Sequence, residues 1–548
     1  MLTEEIGKMI KGEVAIDEKT LEKYSRDASL FEIKPEAVVF PKDAEDVKKL
    51  VNFVAANKRR NKKLSLTPRA GGSDMTGGPL TESIVVDFKH FNRIRMIGDD
   101  CAVAEPGVFY RDFEKETLKR GLILPTYPAS REMCALGGMV ANNAGGEKNL
   151  KYGKTVDYVE EIKAVLADGQ EYVLKPLPQK ELAKKIKGKS FESRVYREVF
   201  QLIKKNYEII KKARPNVSKN SAGYNLWDVW NGSPAGDFDL TKLFVGSQGT
   251  LGLITETKFR LVPAGKYSGL LVIFMRDLKA LPAVIDKTLA TKPASFESFD
   301  EHTFTLALKF FTGFLKAMGA ANIVSLGLQF LPEFFHVLLH GMPKMILLAE
   351  FEEESQEEVN RKIRELKRAL KPFKLSTKSA PDEAASRKYW VMRRESFNLL
   401  RHKVKGLKTA PFIDDIIVRP EYLWEFLPKL YEILNRYQFL YTVAGHVGDG
   451  NFHIIPLMNF DNKSQVALIP QAADEVYDLV LQYGGSLTAE HNDGLIRGAY
   501  LKKMYGPKIY ALFRKIKNIF DPQGIFNPGK KIGTAGLEKL LYKYLRKT

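Results

Sequence analysis

The chain has 548 residues, of which 44% are hydrophobic and 28% charged, with a formal net charge of +19. That composition excludes a disordered chain and leaves room for two or more domains. Its two cysteines, Cys101 and Cys134, have no CxxC partner. A disulfide scaffold, thiolate metal clusters and dithiol redox chemistry are thereby excluded, and a reducing cytoplasm is the expected compartment.

In chain order, residues 1–33 read as polar helix. The start MLTEEIGKMIKGEV is acidic and lacks the apolar core of a signal peptide. Val38–Phe40 reads as a short strand. Asp43 reads as the cap of a following helix, because its carboxylate can accept from the open N–H groups of a first turn. From there to about residue 260 the pattern is short β-runs ended by glycines, such as Ala102–Gly107 and Glu161–Gly169, with Ser83–Asp87 between short loops. Beyond about residue 263 glycine thins out. Leu270–Phe274 and Met345–Glu350 read as buried strands, and Glu357–Leu370 as helix. Tyr500–Thr548 reads as helical apart from turns at Asp521–Gly524 and Asn527–Lys530. The class is therefore α+β, in two domains. There is no internal repeat and no low-complexity segment.

Phe304–Met342 stands apart, being rich in Phe, Leu and Ala. Its longest uncharged run is 16 residues, short of the ~20 a spanning helix needs. It reads as a pair of buried amphipathic helices. The alternative is a helix lying in a membrane interface, which the positive net charge favours. No nucleic-acid recognition motif accompanies that charge, so no nucleic-acid partner is expected.

The chemistry concentrates in Gly445–His453, sequence GHVGDGNFH, and in Glu490-His491. His446 and His453 are seven apart. On a straight strand an odd spacing points two side chains to opposite faces. The Gly-Asp-Gly turn between them lets the chain fold back and both rings converge. With Glu490 and His491 this is the composition of a catalytic divalent-metal centre with an open position. The plainer reading is hydrogen-bonded core histidines beside a turn.

Three glycine-rich loops precede it. Thr67–Gly78, sequence TPRAGGSDMTGG, can free backbone N–H groups to surround an anion, yet it is neither a Walker A loop nor a Rossmann fingerprint. Pro128–Gly146 ends in a long small-residue run, and Val245–Glu256 contains GSQGTLG. Three such loops in one domain point to a large nucleotide-like cofactor.

These motifs together resemble FAD-binding proteins of the vanillyl-alcohol oxidase (PCMH) type, in the branch of D-lactate dehydrogenase, D-2-hydroxyglutarate dehydrogenase and the glycolate oxidase flavin subunit. The PRxGG, NNxGG, GSxGTLG, GHxGDGNxH, glutamate–histidine and C-terminal NPGK motifs occur in the right order from residue 35 to residue 532. The resemblance implies a helical segment 1–34, a two-subdomain FAD-binding domain 35–262, an α+β substrate cap 263–499 with the insert 304–342, and a C-terminal helical segment 500–548 returning to the FAD domain. It places the FAD pyrophosphate on Pro68, Arg69, Ala70, Gly71, Gly72, Ser73, Asp74, Gly77 and Gly78. Pro128, Gly137, Gly138, Asn142, Asn143, Gly145 and Gly146 would line the flavin and ribityl chain, and Gly249, Gly252 and Ile254 would close the adenine side. Ser73 stands where covalently flavinylated members often carry histidine, so the FAD is expected to be non-covalent. His446, His453 and Glu490 match the ligands of a divalent metal, with zinc or manganese expected. His491 matches the general base. Tyr389–Glu395 resembles the Trp-x-x-Arg segment that sets Arg393 on a substrate carboxylate, a task suited to a planar guanidinium.

The implied reaction is oxidation of a D-2-hydroxy acid of the D-lactate, glycolate or D-2-hydroxyglutarate type to its 2-oxo acid, with metal-assisted hydroxyl activation, proton transfer to His491 and hydride transfer to flavin N5. The implied partners are that small acid and an electron acceptor: a quinone, an electron-transfer flavoprotein or an iron–sulfur subunit. The expected location is cytoplasmic, with peripheral contact to the inner face of the membrane through 304–342 as an added option. Asn492 and Asp493 replace the small residues usual beside the base, from which a changed substrate shape is expected. No cysteine cluster follows Gly533, so the iron–sulfur domain fused to some relatives is not expected. An alkylglycerone-phosphate synthase-like flavin transferase and the flavin subunit of a multi-protein electron-transfer complex are the competing readings.

Overall fold

Two Val-rich runs, buried on both faces, form the middle of the first sheet. Glu13–Ala15 (β1), Ala37–Phe40 (β2), Leu66–Arg69 (β3) and Ile84–Asp87 (β4) stand in the order β1-β2-β4-β3. Of its three pairings, β2–β4 and β4–β3 run parallel, while β1 joins β2 antiparallel. In this computed structural model the described residues are 2–303, 305, 341–382, 385–390, 392–393 and 406–546. The apolar segment Phe304–Met342 lies almost wholly outside them, as does most of the chain just after Arg393. The expected helix cap holds: Asp43 accepts from the Asp46 N–H at the start of the helix Ala44–Asn57. The expectation of helix throughout 1–33 needs correction. Two helices, Leu2–Met9 and Glu18–Tyr24, flank β1, whose backbone is drawn into pairing by β2. Local propensity yields there to a ladder partner supplied by the tertiary fold.

Ile94–Ile97 (β5), Cys101–Ala104 (β6), Leu122–Ile123 (β7), Val159–Val165 (β8), Glu171–Leu174 (β9), Leu253–Arg260 (β10) and Val262–Pro263 (β11) follow. Five of them form an antiparallel sheet in the order β5-β6-β10-β8-β9, and β7 pairs with β11. The glycine loops of the sequence lie at the ends of these strands and at the short helix Leu136–Asn142.

The second half is one eight-stranded sheet. Its strands are Tyr267–Met275 (β12), Ser295–Asp300 (β13), Met345–Glu353 (β14), Ser376–Ala380 (β15), Lys408–Thr409 (β16), Ile416–Ile417 (β17), Leu440–His446 (β18) and Asn451–Met458 (β19). The order is β15-β12-β14-β13-β18-β19-β16, with β17 also on β19. The period of two explains why β12 is apolar without interruption. Leu271, Ile273 and Met275 face the large core, while Leu270, Val272 and Phe274 pack on the other side with Tyr389, Trp390 and Met392. Helices Leu281–Ala290, Gln356–Leu370 and Leu423–Arg436 supply the apolar face above that large core. The helix Leu501–Phe520, bent at Gly506-Pro507, packs on the helix Phe191–Lys205, and the helix Leu537–Tyr544 joins the large core. No helix among the described residues is long and apolar enough to cross a membrane.

Candidate active site

A cavity of about 570 Å³ opens between the glycine loops and the hairpin β18–β19. Residues 68–75 and 78 line it from the first loop, as do Pro128, Gly137, Gly138, Asn142 and Gly145 from the second and Gly249, Gly252 and Ile254 from the third. Arg393, His446, His453, Glu490 and His491 complete it from the opposite side. Gly77, Asn143 and Gly146, expected among the cofactor residues, stand behind this wall. A Cβ on Gly77 would press on Leu495 and Phe31, and one on Gly146 would meet the Tyr127 carbonyl. Asn143 ends its helix in the left-handed region and accepts from the Val156 N–H. These three shape the loops and do not face the cavity.

Two expected contacts are turned to other work. The Arg69 guanidinium donates to the Arg26 carbonyl at 2.8 Å and lies over the Tyr24 ring, so it holds the N-terminal segment. Asp74 accepts from the N–H groups of Thr76 and Gly78 and from the Asn142 amide. It thus ties the first loop to the second. Gln248 and Asn527 extend the tie. Gln248 accepts from the Gly494 N–H at 2.8 Å, and the Asn527 amide donates to the carbonyls of Gly78 and Gln248. A Cβ on Gly71 would strike the Met133 carbonyl, and one on Gly249 would strike the Pro68 ring. Close loop packing therefore leaves a narrow slot walled by backbone and small side chains. That slot fits a long, flat dinucleotide such as FAD.

The hairpin makes the two histidines converge. β18 ends at His446, the turn Val447–Gly450 follows, and Ala444 pairs with His453. Gly450 has φ +75°, and a Cβ there would collide with the Val418 carbonyl. His446 lies two residues beyond Ala444, so both imidazoles project from one face with ring centroids 5.2 Å apart. Nε2 of His446 is 3.0 Å and Nε2 of His453 is 3.2 Å from the same Glu490 oxygen, Oε1. Ligand atoms of the three residues lie within 4.8 Å of one another. Two imidazoles and a carboxylate meeting at one point beside a cavity fit a divalent cation with an open coordination position.

The loop that carries Glu490 and His491 is anchored by a residue the sequence reading missed. Asp415 Oδ2 accepts from the Thr488 hydroxyl and from the N–H groups of Glu490 and His491, at 2.5–2.9 Å. Neighbouring Asp414 accepts from His491 Nδ1 at 2.7 Å, and its carbonyl accepts from His453 Nδ1 at 3.0 Å. The Asp414 carboxylate also pairs with Arg497, both fully buried. Glu297 of β13 reaches His446 Nδ1 at 2.6 Å and Arg393 at 3.1 Å. From the other half of the chain, Lys219 Nζ lies 3.3 Å from Glu490 Oε2 and 3.4 Å from Asp449. One readable signal existed. Asp414 and Asp415 sit inside the apolar run Phe412–Ile417, and adjacent carboxylates in such a run must be buried and partnered. Nothing in the spacing marks Glu297 or Lys219.

Asn492 and Asp493 correct an expectation. The Asn492 amide donates to the carbonyls of Asn142 and Gly246, and Asp493 accepts from the Gly223 N–H and from Lys531. Both brace the two halves of the molecule and neither lines the cavity.

The electrostatics suit a cation. Burial opposes a charged His446, yet the Glu297 charge, with Glu490, pushes its pKa up to about 9. Burial likewise opposes a charged His491, and Asp414 and Asp415 push it up to about 9. Burial holds His453 down. Burial would raise Glu490, but Lys219 and His446 keep it well below the usual carboxylate range. A divalent ion among these groups would push both raised imidazoles down again by charge repulsion.

Residues 35–175 match the FAD binding domain, and residues 267–531 match FAD linked oxidases, C-terminal domain. A D-2-hydroxyglutarate dehydrogenase of Pseudomonas putida is 29% identical over 95% of this chain and 50% of its own length. The chain thus spans about half the length of that relative. The glycolate oxidase subunit GlcD of Bacillus subtilis is 25% identical over 92% of this chain and 91% of its own. A D-lactate dehydrogenase of Archaeoglobus fulgidus is 25% identical over 90% and 91%. Among solved structures, p-cresol methylhydroxylase superposes with a TM-score of 0.68 over 97% of this chain and 96% of its own. Alkyldihydroxyacetonephosphate synthase does so with 0.64 over 96% and 84%. Both are 15% identical, a likeness of fold alone. The chain thus carries an FAD binding domain ahead of the C-terminal domain of FAD linked oxidases, on a mixed helix-and-sheet fold of the PCMH type.

Proposed function

We propose that the protein is an FAD-dependent dehydrogenase that oxidises a D-2-hydroxy acid to the 2-oxo acid. One observation carries this reading: His446, His453, Glu490 and His491 open onto the same cavity as the three glycine loops. The backbone of Pro68–Met75 would hold the pyrophosphate, residues 128–145 the flavin and ribityl chain, and residues 249–254 the adenine side, without a covalent bond. FAD, when bound, supplies the hydride acceptor. His446, His453 and Glu490 would hold zinc or manganese, which when bound supplies Lewis acidity toward the substrate oxygens.

The protein's own part is placement and proton handling. Asp414 accepts from Nδ1 of His491, which leaves Nε2 as the ring's basic atom. His491 takes the hydroxyl proton there. Arg393 orients the substrate carboxylate through its planar fork. The glycine loops and the hairpin enclose the reacting carbon and limit water. A quinone, an electron-transfer flavoprotein or an iron–sulfur partner would be the electron acceptor.

The test is dye-linked oxidation by the purified protein of D-lactate, glycolate and D-2-hydroxyglutarate, with and without a chelator. Turnover of at least one, released FAD on acid treatment and loss of rate with the chelator are expected. Full activity after complete metal removal overturns the metal assignment. Inactivity toward all three acids by FAD-loaded protein overturns the substrate class.

A further inference from the structure

Glu297 is the fully buried carboxylate of β13, a strand buried at all six positions between β14 and β18. Its neighbours Phe296 and Phe299 are core residues, so an apolar side chain would suit the strand better. A buried carboxylate is retained at a cost in desolvation unless its oxygens are engaged. Here one oxygen is hydrogen-bonded to the site, and the other faces a cation of the site as an ion pair without a hydrogen bond. Oε1 lies 2.6 Å from His446 Nδ1, and Oε2 lies 3.1 Å from an Arg393 Nη.

We infer that Glu297 is a positioning residue that sets the metal ligand and the substrate clamp from one rigid strand. This rests on the functional reading above and deepens it. An acceptor at Nδ1 keeps the proton on that nitrogen and turns the Nε2 lone pair of His446 toward Glu490, where a cation would sit. The same carboxylate draws the Arg393 guanidinium to the site by charge. Ligand and clamp are then both placed relative to one carboxylate. β13 is held in register by Ser298 opposite Gly445, next to His446, so the carboxylate cannot shift without the hairpin. The expected result is a fixed span matched to a 2-hydroxy acid, with its hydroxyl at the metal end and its carboxylate at the arginine end.

The experiment compares E297Q and E297D with the wild-type flavoprotein. Zinc and manganese are titrated into chelator-treated, FAD-loaded protein, and KM and kcat are measured at saturating metal. E297Q keeps the volume but loses the negative charge. It should weaken metal binding by about 10–100-fold and raise KM by about tenfold, with a smaller change in kcat, unchanged FAD content and an unchanged melting temperature. E297D should recover part of the metal affinity. Wild-type metal affinity and KM in E297Q overturn the inference while leaving the ligand set standing. So does a lowered melting temperature with FAD loss and unchanged metal affinity, because that is a purely structural role. A wild-type protein that binds neither metal overturns the ligand set and this inference together.

Discussion

His491 sits between a carboxylate and the cavity, and that position defines its test. Asp414 holds Nδ1, so His491→Asn keeps size and polarity but offers no basic nitrogen. The substitution should lower kcat by about 10²–10⁴ with little change in KM, since the loss falls on the transition state. Steady-state kinetics with FAD and metal content checked reads this, and near-normal kcat places the base elsewhere. Asp27 offers a second test. It accepts from the Ser29 N–H and hydroxyl and from the Gly77 N–H, beneath the first glycine loop. Burial first, then the nearby Asp74, raises its pKa from 3.8 to about 7. A raised folded-state pKa means that the folded protein holds this proton more tightly than the unfolded chain. The associated stability is present below pH 3.8 and is lost as pH rises through about 7. The melting temperature of Asp27→Asn should therefore gain on the wild type as pH rises across that window. A constant difference between the two proteins refutes the raised pKa.

At the scale of elements, the loops work because glycine stands where two backbones nearly touch. Gly249 has φ +66°, and its Cα faces the Pro68 ring. Gly249→Ala combines a left-handed conformation costing about 1–2 kcal/mol with a collision that must part the first and third loops. FAD affinity should fall by about tenfold or more, read by titrating FAD into the apoprotein. Unchanged affinity shows that the two loops are not a rigid cradle. Gly450→Ala strains the turn of β18–β19 and pushes on the Val418 carbonyl, so it should displace the two histidines and weaken metal binding before it affects FAD. Metal and flavin content measured on one preparation separates the two effects. C-terminal Asn527 belongs to the same device, since it reaches back some 280–450 residues to clamp both loops.

Across the whole molecule, the site is assembled from the two halves at their seam. Lys219 and Lys154 come from the first half. Lys219 pairs with Glu490 and Asp449, and Lys154 donates to the Ala489 carbonyl at 2.6 Å. Glu352 of the second half accepts from Lys148 at 2.6 Å and, through its carbonyl, from Lys151 at 3.0 Å. The glycine loops nonetheless belong to the first half, and His446 and His453 to the second. His453→Ala should therefore remove the bound metal and lower turnover by orders of magnitude while FAD stays in place. Metal analysis and the flavin spectrum of the purified variant check this, and loss of flavin together with metal means that the two sites depend on each other for stability.

What the sequence determined by itself is what spacing and residue type encode locally. The glycine turn in GHVGDGNFH permits the chain to fold back, and the strand register then returns both imidazoles to one face. The capping Asp43, the buried strands at 270–274 and 345–350 and the small-residue loops are local signals of the same kind, legible because helix and strand periods and glycine's freedom act within a few residues. Only the tertiary structure decided the rest. Nothing near Arg69 shows that its guanidinium goes to the Arg26 carbonyl, or that Gly77, Asn143 and Gly146 stand behind the cavity wall. β1 is a strand because β2 lies beside it. Glu297, Asp414, Asp415 and Lys219 reach the ligands from positions 39 to 271 residues away in the chain. Such partners leave no periodicity, because a buried charge is placed by whichever element packs over it once the sheet has formed.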